Sequence, residues 1–196
     1  LTEAEWSISL AESASPIMPF KLATRCPVVG KEMIRDRRVT GVADPFMVYY
    51  DGLWFMFFET ISADTGQGDI GVATSPDGVH WRYHGVVLDE PYHLSYPFVF
   101  VHEGTVYMVP ESGQKGAVVL YRAVQFPCRW EPVAELLSGH SFVDSSLAYF
   151  RGKWWLWTST PENSYLLLYF ADRLEGPWRK HPRNTLVISD PTSARP

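Results

Sequence analysis

Where the chain is most apolar, its hydrophobic and aromatic residues come in short β-rich runs broken by glycine and proline, and no window of a dozen residues shows a clean 3.6-residue period. The densest stretch, from Val42 to Glu59, reads as two aromatic and aliphatic strands meeting at Asp51-Gly52. Asp-Gly between such runs is the strongest short-range hairpin signal a sequence carries. The pattern returns around Gly104, between Tyr96 and Glu111, and around Gly152, between Asp144 and Ser159, so the turn glycines are 52 and 48 residues apart. Trp81, Trp130 and Trp178, placed near the start of each unit's last strand, are 49 and 48 apart and mark the same period independently. Units of about fifty residues with four short strands each predict propeller blades rather than helical repeats.

The predicted class is therefore all-β, a propeller of the five-bladed type, in one domain spanning 1–196. Its full blades are expected at 42–90, 93–139 and 141–188, with 31–41 a charged connecting loop. Residues 6–29 resemble the outer half of the first blade, Ser15-Pro16 falling near the place of Ser75-Pro76 and Phe20 near that of Trp81. This segment is expected to supply outer strands to a blade whose inner hairpin lies elsewhere. Three blades and a half do not close a ring, so the missing blades are expected from the parent chain or another subunit.

Composition narrows the function. Aromatic residues make up 15% of the chain, which suits sheets stacked face to face. A net charge of −5 argues against a nucleic-acid partner. The only basic cluster, Arg35, Arg37 and Arg38, has Asp36 within it and reads as a solvated loop. Cys26 and Cys128 are too few for a disulfide framework. His80, His84, His102 and His181 have no metal-ligand spacing, and no nucleotide, zinc or nucleophile-elbow motif is present, so neither metal nor cofactor is expected. No signal peptide or membrane segment is seen in a chain that opens on Leu1. Localisation stays open, with a cytoplasmic setting the expectation.

The candidate chemistry lies at the hairpins' open ends. Eight residues before the turn glycines stand Asp44, Tyr96 and Asp144; seven after them stand Glu59, Glu111 and Ser159. In a propeller the first strand of each blade lines the central channel, so these positions should face one funnel. Paired carboxylates there could act on a glycosidic bond, one protonated as general acid and another ionised to activate water or attack the sugar. Each residue also has a plainer reading: Asp44 and Asp144 as turn caps, Glu59 and Glu111 as solvated strand-end charges. His93 and His140, on loops entering the same mouth, read equally as sugar contacts or as surface histidines.

The runs Ala43-Asp44-Pro45-Phe46 to Glu59, His93 to Phe98, Pro110-Glu111-Ser112, Leu120-Tyr121-Arg122 and Phe126-Pro127 with Trp130 carry a family likeness. They resemble the N-terminal domain of glucosamine inositolphosphorylceramide transferases and bacterial relatives, a domain similar to the propellers of glycoside hydrolase families 32, 43, 62 and 68. That likeness implies Asp44 as base or nucleophile. It puts Tyr96 where the hydrolases have a second Asp and Asp144 where they have the acidic Glu, and leaves Glu111 to replace the acid. In the transferases, glycosyl transfer belongs to another domain. The expected function is accordingly a carbohydrate-active propeller with Asp44, Glu111 and Asp144 catalytic and Glu59, Tyr96, His93 and His140 contacting a carbohydrate or glycoconjugate. The alternatives are a non-catalytic glycan- or glycolipid-headgroup-binding module beside a transferase or other enzyme, and a structural protein-interaction propeller.

Overall fold

In a computed structural model, which describes residues 6–15, 17–22, 26–190 and 192–196, the chain is all-β. In chain order the strands are β1 (Ala11–Glu12), β2 (Lys21–Leu22), β3 (Val39–Tyr50), β4 (Leu53–Ser62), β5 (Gly68–Ser75), β6 (Arg82–Leu88), β7 (Ser95–His102), β8 (Thr105–Glu111), β9 (Ala117–Gln125), β10 (Arg129–Ser138), β11 (Val143–Phe150), β12 (Lys153–Ser159), β13 (Tyr165–Ala171), β14 (Arg179–Lys180) and β15 (Val187–Ile188). Helix among the described residues is confined to 3-10 turns at Lys31–Met33, Gly113–Lys115 and Pro161–Asn163, and none is long and apolar enough to cross a membrane.

Three antiparallel sheets carry the repeat: β3-β4-β5-β6, β7-β8-β9-β10 and β11-β12-β13-β14, the last with β15 added along β13. Each opens with a hairpin whose two turn residues both have positive φ: Asp51-Gly52, Glu103-Gly104 and Arg151-Gly152. Two consecutive left-handed residues make the turn whose twist matches that of the flanking strands, which is why glycine recurs at the second place. The three tryptophans play one role throughout. The indole Nε1–H of Trp81 donates to the Gly78 carbonyl (3.0 Å), that of Trp130 to Pro127 (2.8 Å) and that of Trp178 to Leu174 (3.1 Å), closing the turn before the last strand.

The sheets are stacked by their apolar faces. Phe57, Ile70 and Val72 of the first pack on Val99, Met108 and Tyr121 of the second, with Trp130 edge-on and Phe126 tilted against Phe57. Val109, Val118 and Leu120 of the second pack on Leu147, Trp154 and Leu156 of the third. Phe57 is fully buried, a contribution of about 2–3 kcal/mol from transfer alone. Across this stack the first strands adjoin one another, β3 beside β7 and β7 beside β11.

Two stretches differ from expectation. The charged 31–41 segment is not all loop: β3 starts at Val39, and Arg37 pairs with the buried Asp69 and with Asp89 (3.3 Å), while Arg38 pairs with Asp64 (2.9 Å). Arg37 thus neutralises an interior carboxylate and is not a free surface charge. Among the described residues of 6–29, strand is limited to the two-residue β1 and β2 and an Ile8–Val29 bridge. Ile8, Val28 and Val29, with Ile34, cover Val42, Met56 and Phe58 on the first sheet's far face. The Ser15-Pro16 match lies partly outside the described residues, since Pro16 is not among them.

Candidate functional site

All three first strands carry the same irregularity. Between Ala43 and Phe46, Ser95 and Phe98, and Val143 and Ser146, the first strand spends one residue more than its partner. This is a β-bulge, a device that re-aims a side chain. The bulged residues are Asp44, Tyr96 and Asp144, with φ of 49°, 44° and 52°. Non-glycine residues avoid this left-handed region unless the surroundings enforce it. The bulge shifts the ladder by one place from the register that the turn alone would set. Glu59 faces Ala43, Glu111 faces Ser95 and Ser159 faces Val143, while Asp44, Tyr96 and Asp144 are freed from the ladder.

The carboxyl groups interact across the sheets. The Tyr96 backbone amide favours the Asp44 carboxylate, an electrostatic link between the first unit and the second. Tyr96 Oη lies 3.2 Å from Ser146 Oγ, tying the second to the third, and its ring stands edge-on to Phe46 at 4.7 Å. Ser95 Oγ donates to Glu111 Oε2 at 3.2 Å. Burial and the nearby Asp144 charge push Glu111 up to about 7. Asp44 is the most open of the set, yet partial desolvation and the charges of Glu59 and Asp144 push it up as well. Burial also raises Asp144, opposed by Arg195, whose Nη2 lies 3.2 Å from Asp144 Oδ2.

His93 and Glu59 form a second cell beside these. His93 Nε2 is 3.2 Å from Glu59 Oε1, and the Gly68 N–H donates to His93 Nδ1 at 3.0 Å. The Glu59 hydrogen bond favours the imidazolium and raises the His93 pKa. The Gly68 donor needs a lone pair on Nδ1, and the neutral ring with its proton on Nε2 satisfies both contacts. Gly68 must be glycine, because a Cβ there would run into Glu59 and the Leu94 carbonyl.

The structure therefore gathers Asp44, Tyr96, Glu111 and Asp144, with Glu59 and His93 alongside. His140 is apart: it is exposed, 5.9 Å from the Phe142 ring, and lines a cleft of about 610 Å³ with Gly113, Lys115 and Glu135. Arg195 escaped sequence reasoning, although Ala194-Arg195-Pro196 has the small-polar-proline form of Ala43-Asp44-Pro45 and Ser95-Tyr96-Pro97. Among the described residues no cluster of three or more His, Cys, Asp or Glu is arranged to hold a metal ion.

Comparison with known proteins bears on this arrangement. The family model for the N-terminal region of glucosamine inositolphosphorylceramide transferase 1 matches residues 5–195. Glucosamine inositolphosphorylceramide transferase 1 of Oryza sativa subsp. japonica is 37% identical over 96% of the chain, which spans 28% of that relative's length. The protein of that name from Arabidopsis thaliana is 39% identical over 74% of the chain, 20% of its own length. Among solved structures, an exo-β-1,3-galactanase from Clostridium thermocellum matches with a TM-score of 0.68 at 16% identity, covering 82% of this chain and 39% of that one. A family 117 glycoside hydrolase from Zobellia galactanivorans matches with a TM-score of 0.63 at 19% identity, covering 76% and 57%. The all-β fold is thus like that of glycoside hydrolases of families 43 and 117.

Proposed function

Because the chain belongs to the family of glucosamine inositolphosphorylceramide transferase 1 N-terminal regions, we propose that its three sheets are adjacent blades of a five-bladed propeller type whose mouth acts on a glycosidic bond. The observation that carries this reading is the meeting of Asp44, Glu111 and Asp144, from three sheets, with Glu111 pushed up to about 7. A carboxyl with that pKa still holds its proton near neutrality and can pass it to the leaving glycosidic oxygen, while Asp44, open at the mouth, takes a proton from water or attacks the sugar. Asp144, paired with Arg195, is the poorer acid candidate. Tyr96, Glu59 and His93 would hydrogen-bond sugar hydroxyls, with His140 at the outer margin.

The test is a panel of glycans and aryl glycosides incubated with the wild type and with Asp44→Asn and Glu111→Gln. The reading expects turnover by the wild type and at least about a hundredfold loss in each variant with the fold retained; equal rates in all three would exclude it. A second reading is favoured by the relatives' printed name, transferase, and by the small share of their length this chain spans. Under it the mouth binds a glycan or glycolipid headgroup beside a separate catalytic domain. Then the two substitutions weaken sugar binding and no turnover is seen with any member of the panel.

A further inference from the structure

We propose that Arg195 is a positioning residue of this mouth: its guanidinium holds Asp144 as the carboxylate, and that charge keeps the proton on the neighbouring Glu111. The inference rests on the reading of Glu111 as proton donor and deepens it by naming the group that decides between two adjacent carboxyls.

The placement of Arg195 continues the sequence of contacts around the mouth. The ring of the second unit's bulged residue, Tyr96, stands edge-on to the first unit's Phe46, and its hydroxyl meets Ser146 of the third. Arg195 makes the next step, to Asp144 at 3.2 Å. Its neighbour Ala194 accepts a hydrogen bond from Ser159 Oγ, and Ser159 holds in the third unit the place of Glu59 and Glu111. The segment is anchored: Ala194 is fully buried, its N–H donates to the Asp190 carbonyl (2.8 Å), and the Asp190 carboxylate accepts from the Thr192 N–H (3.0 Å). The guanidinium itself is 61% exposed at the side chain while Asp144 is 10% exposed, so the arginine sits at the mouth's rim and its partner inside.

The chemistry follows from the residue type. Where the charge of one carboxyl raises the pKa of another, whichever has the cation beside it is the one ionised first. Arginine does not titrate in the working range of proteins, so this bias is permanent. The other groups facing the pair do not reproduce it. From β3 and β4 come Asp44 and Glu59, both acidic; from the loop before β7 comes His93, bound to Glu59 and Gly68; from β7 come the neutral Ser95 and Tyr96.

The experiment is a pH titration by NMR of protein carrying 13C at Asp and Glu side-chain carboxyls, with Glu111→Gln and Asp144→Asn used to assign the two signals. It is run on the wild type, Arg195→Gln and Arg195→Lys. Loss of the cation in Arg195→Gln should raise the Asp144 titration by about one pH unit or more, and Arg195→Lys should restore most of the wild-type value. A merely structural role would perturb both variants alike. Superimposable titrations in wild type and Arg195→Gln, or equal changes in the glutamine and lysine variants, would overturn the inference. Failure of the wider reading is distinguishable: absence of turnover on every glycan would sink the proposed hydrolysis, while the titration difference would still place the proton.

Discussion

The two ends of the inner hairpins use the same backbone conformation for different purposes. At the turn end, Asp51, Glu103 and Arg151 have φ of 48°, 48° and 51°; at the mouth, Asp44, Tyr96 and Asp144 have 49°, 44° and 52°. The turn residues are exposed, and their side chains range from acidic to basic. There the left-handed conformation belongs to a tight turn, and the side chain is incidental. At the mouth no turn requires it: the same conformation arises from an extra residue in the strand and directs titratable groups toward one another across three sheets. What separates structure from candidate chemistry is the company the strained residue keeps, desolvated and charge-coupled at one end, hydrated at the other.

The largest expected effect tests whether the mouth is held at a cost to the fold. Below pH 4.5 Glu111 is protonated in folded and unfolded chains alike. Between 4.5 and about 7 the unfolded chain releases this proton while the folded chain keeps it, so stability falls as pH rises through that window. The full loss above the window is about 3 kcal/mol. Glu111→Gln should therefore be more stable than wild type by about this amount at pH 8 and lose its advantage below pH 4.5. Urea unfolding at the two pH values measures it; equal stability differences at both would show that Glu111 is not desolvated as described.

A comparable effect is expected beside the mouth. Gly68→Ala forces the backbone away from the Leu94 carbonyl and displaces Glu59. A destabilisation of about 2 kcal/mol follows, with the His93 imidazole NMR signals shifting as its Gly68 and Glu59 contacts part. Retained His93 signals would mean the site tolerates the methyl. Somewhat smaller is Tyr96→Asn. Asparagine relieves the left-handed strain, but the Ser146 contact and the edge-on packing against Phe46 are lost, for a net loss of about 1–2 kcal/mol by thermal or urea unfolding.

The same contrast explains what was legible in the sequence. The turn end announces itself: Gly52, Gly104 and Gly152 repeat because the second turn position needs positive φ, and the tryptophans repeat because each indole closes one turn. The bulges have no such residue signature. Proline follows Asp44 and Tyr96 but serine follows Asp144, so counting from the turn glycines lands on the bulged positions without revealing that Glu59 and Glu111 face Ala43 and Ser95. Arg195 was hidden because the count runs back from Gly52, Gly104 and Gly152 and reaches none of the residues around it. The role of Arg37 was hidden because its partners, Asp69 and Asp89, are brought to it by the fold over long chain separations. His140 was placed with His93 by spacing alone. Spacing cannot tell that Gly68 supplies one histidine with a donor, whereas His140 is left at a cleft wall.

The smallest effect is the cleanest test of the comparison. Glu103 occupies the first turn position with its side chain 85% exposed, and His102 Nε2 lies 3.9 Å from its carboxyl group. Replacing it by asparagine removes almost no tertiary interaction. Asparagine adopts left-handed φ more readily than glutamate, and Asn-Gly is the favoured pair for this turn. Glu103→Asn should therefore gain about 0.5 kcal/mol, read as a higher urea midpoint at unchanged slope, the slope reporting that the surface exposed on unfolding is the same. The identical substitution at Tyr96, on a backbone within a few degrees of the same φ, has the opposite sign. If both lowered stability equally, the left-handed residue would be no better tolerated in the turn than in the bulge, and the distinction between the hairpins' two ends would fall with it.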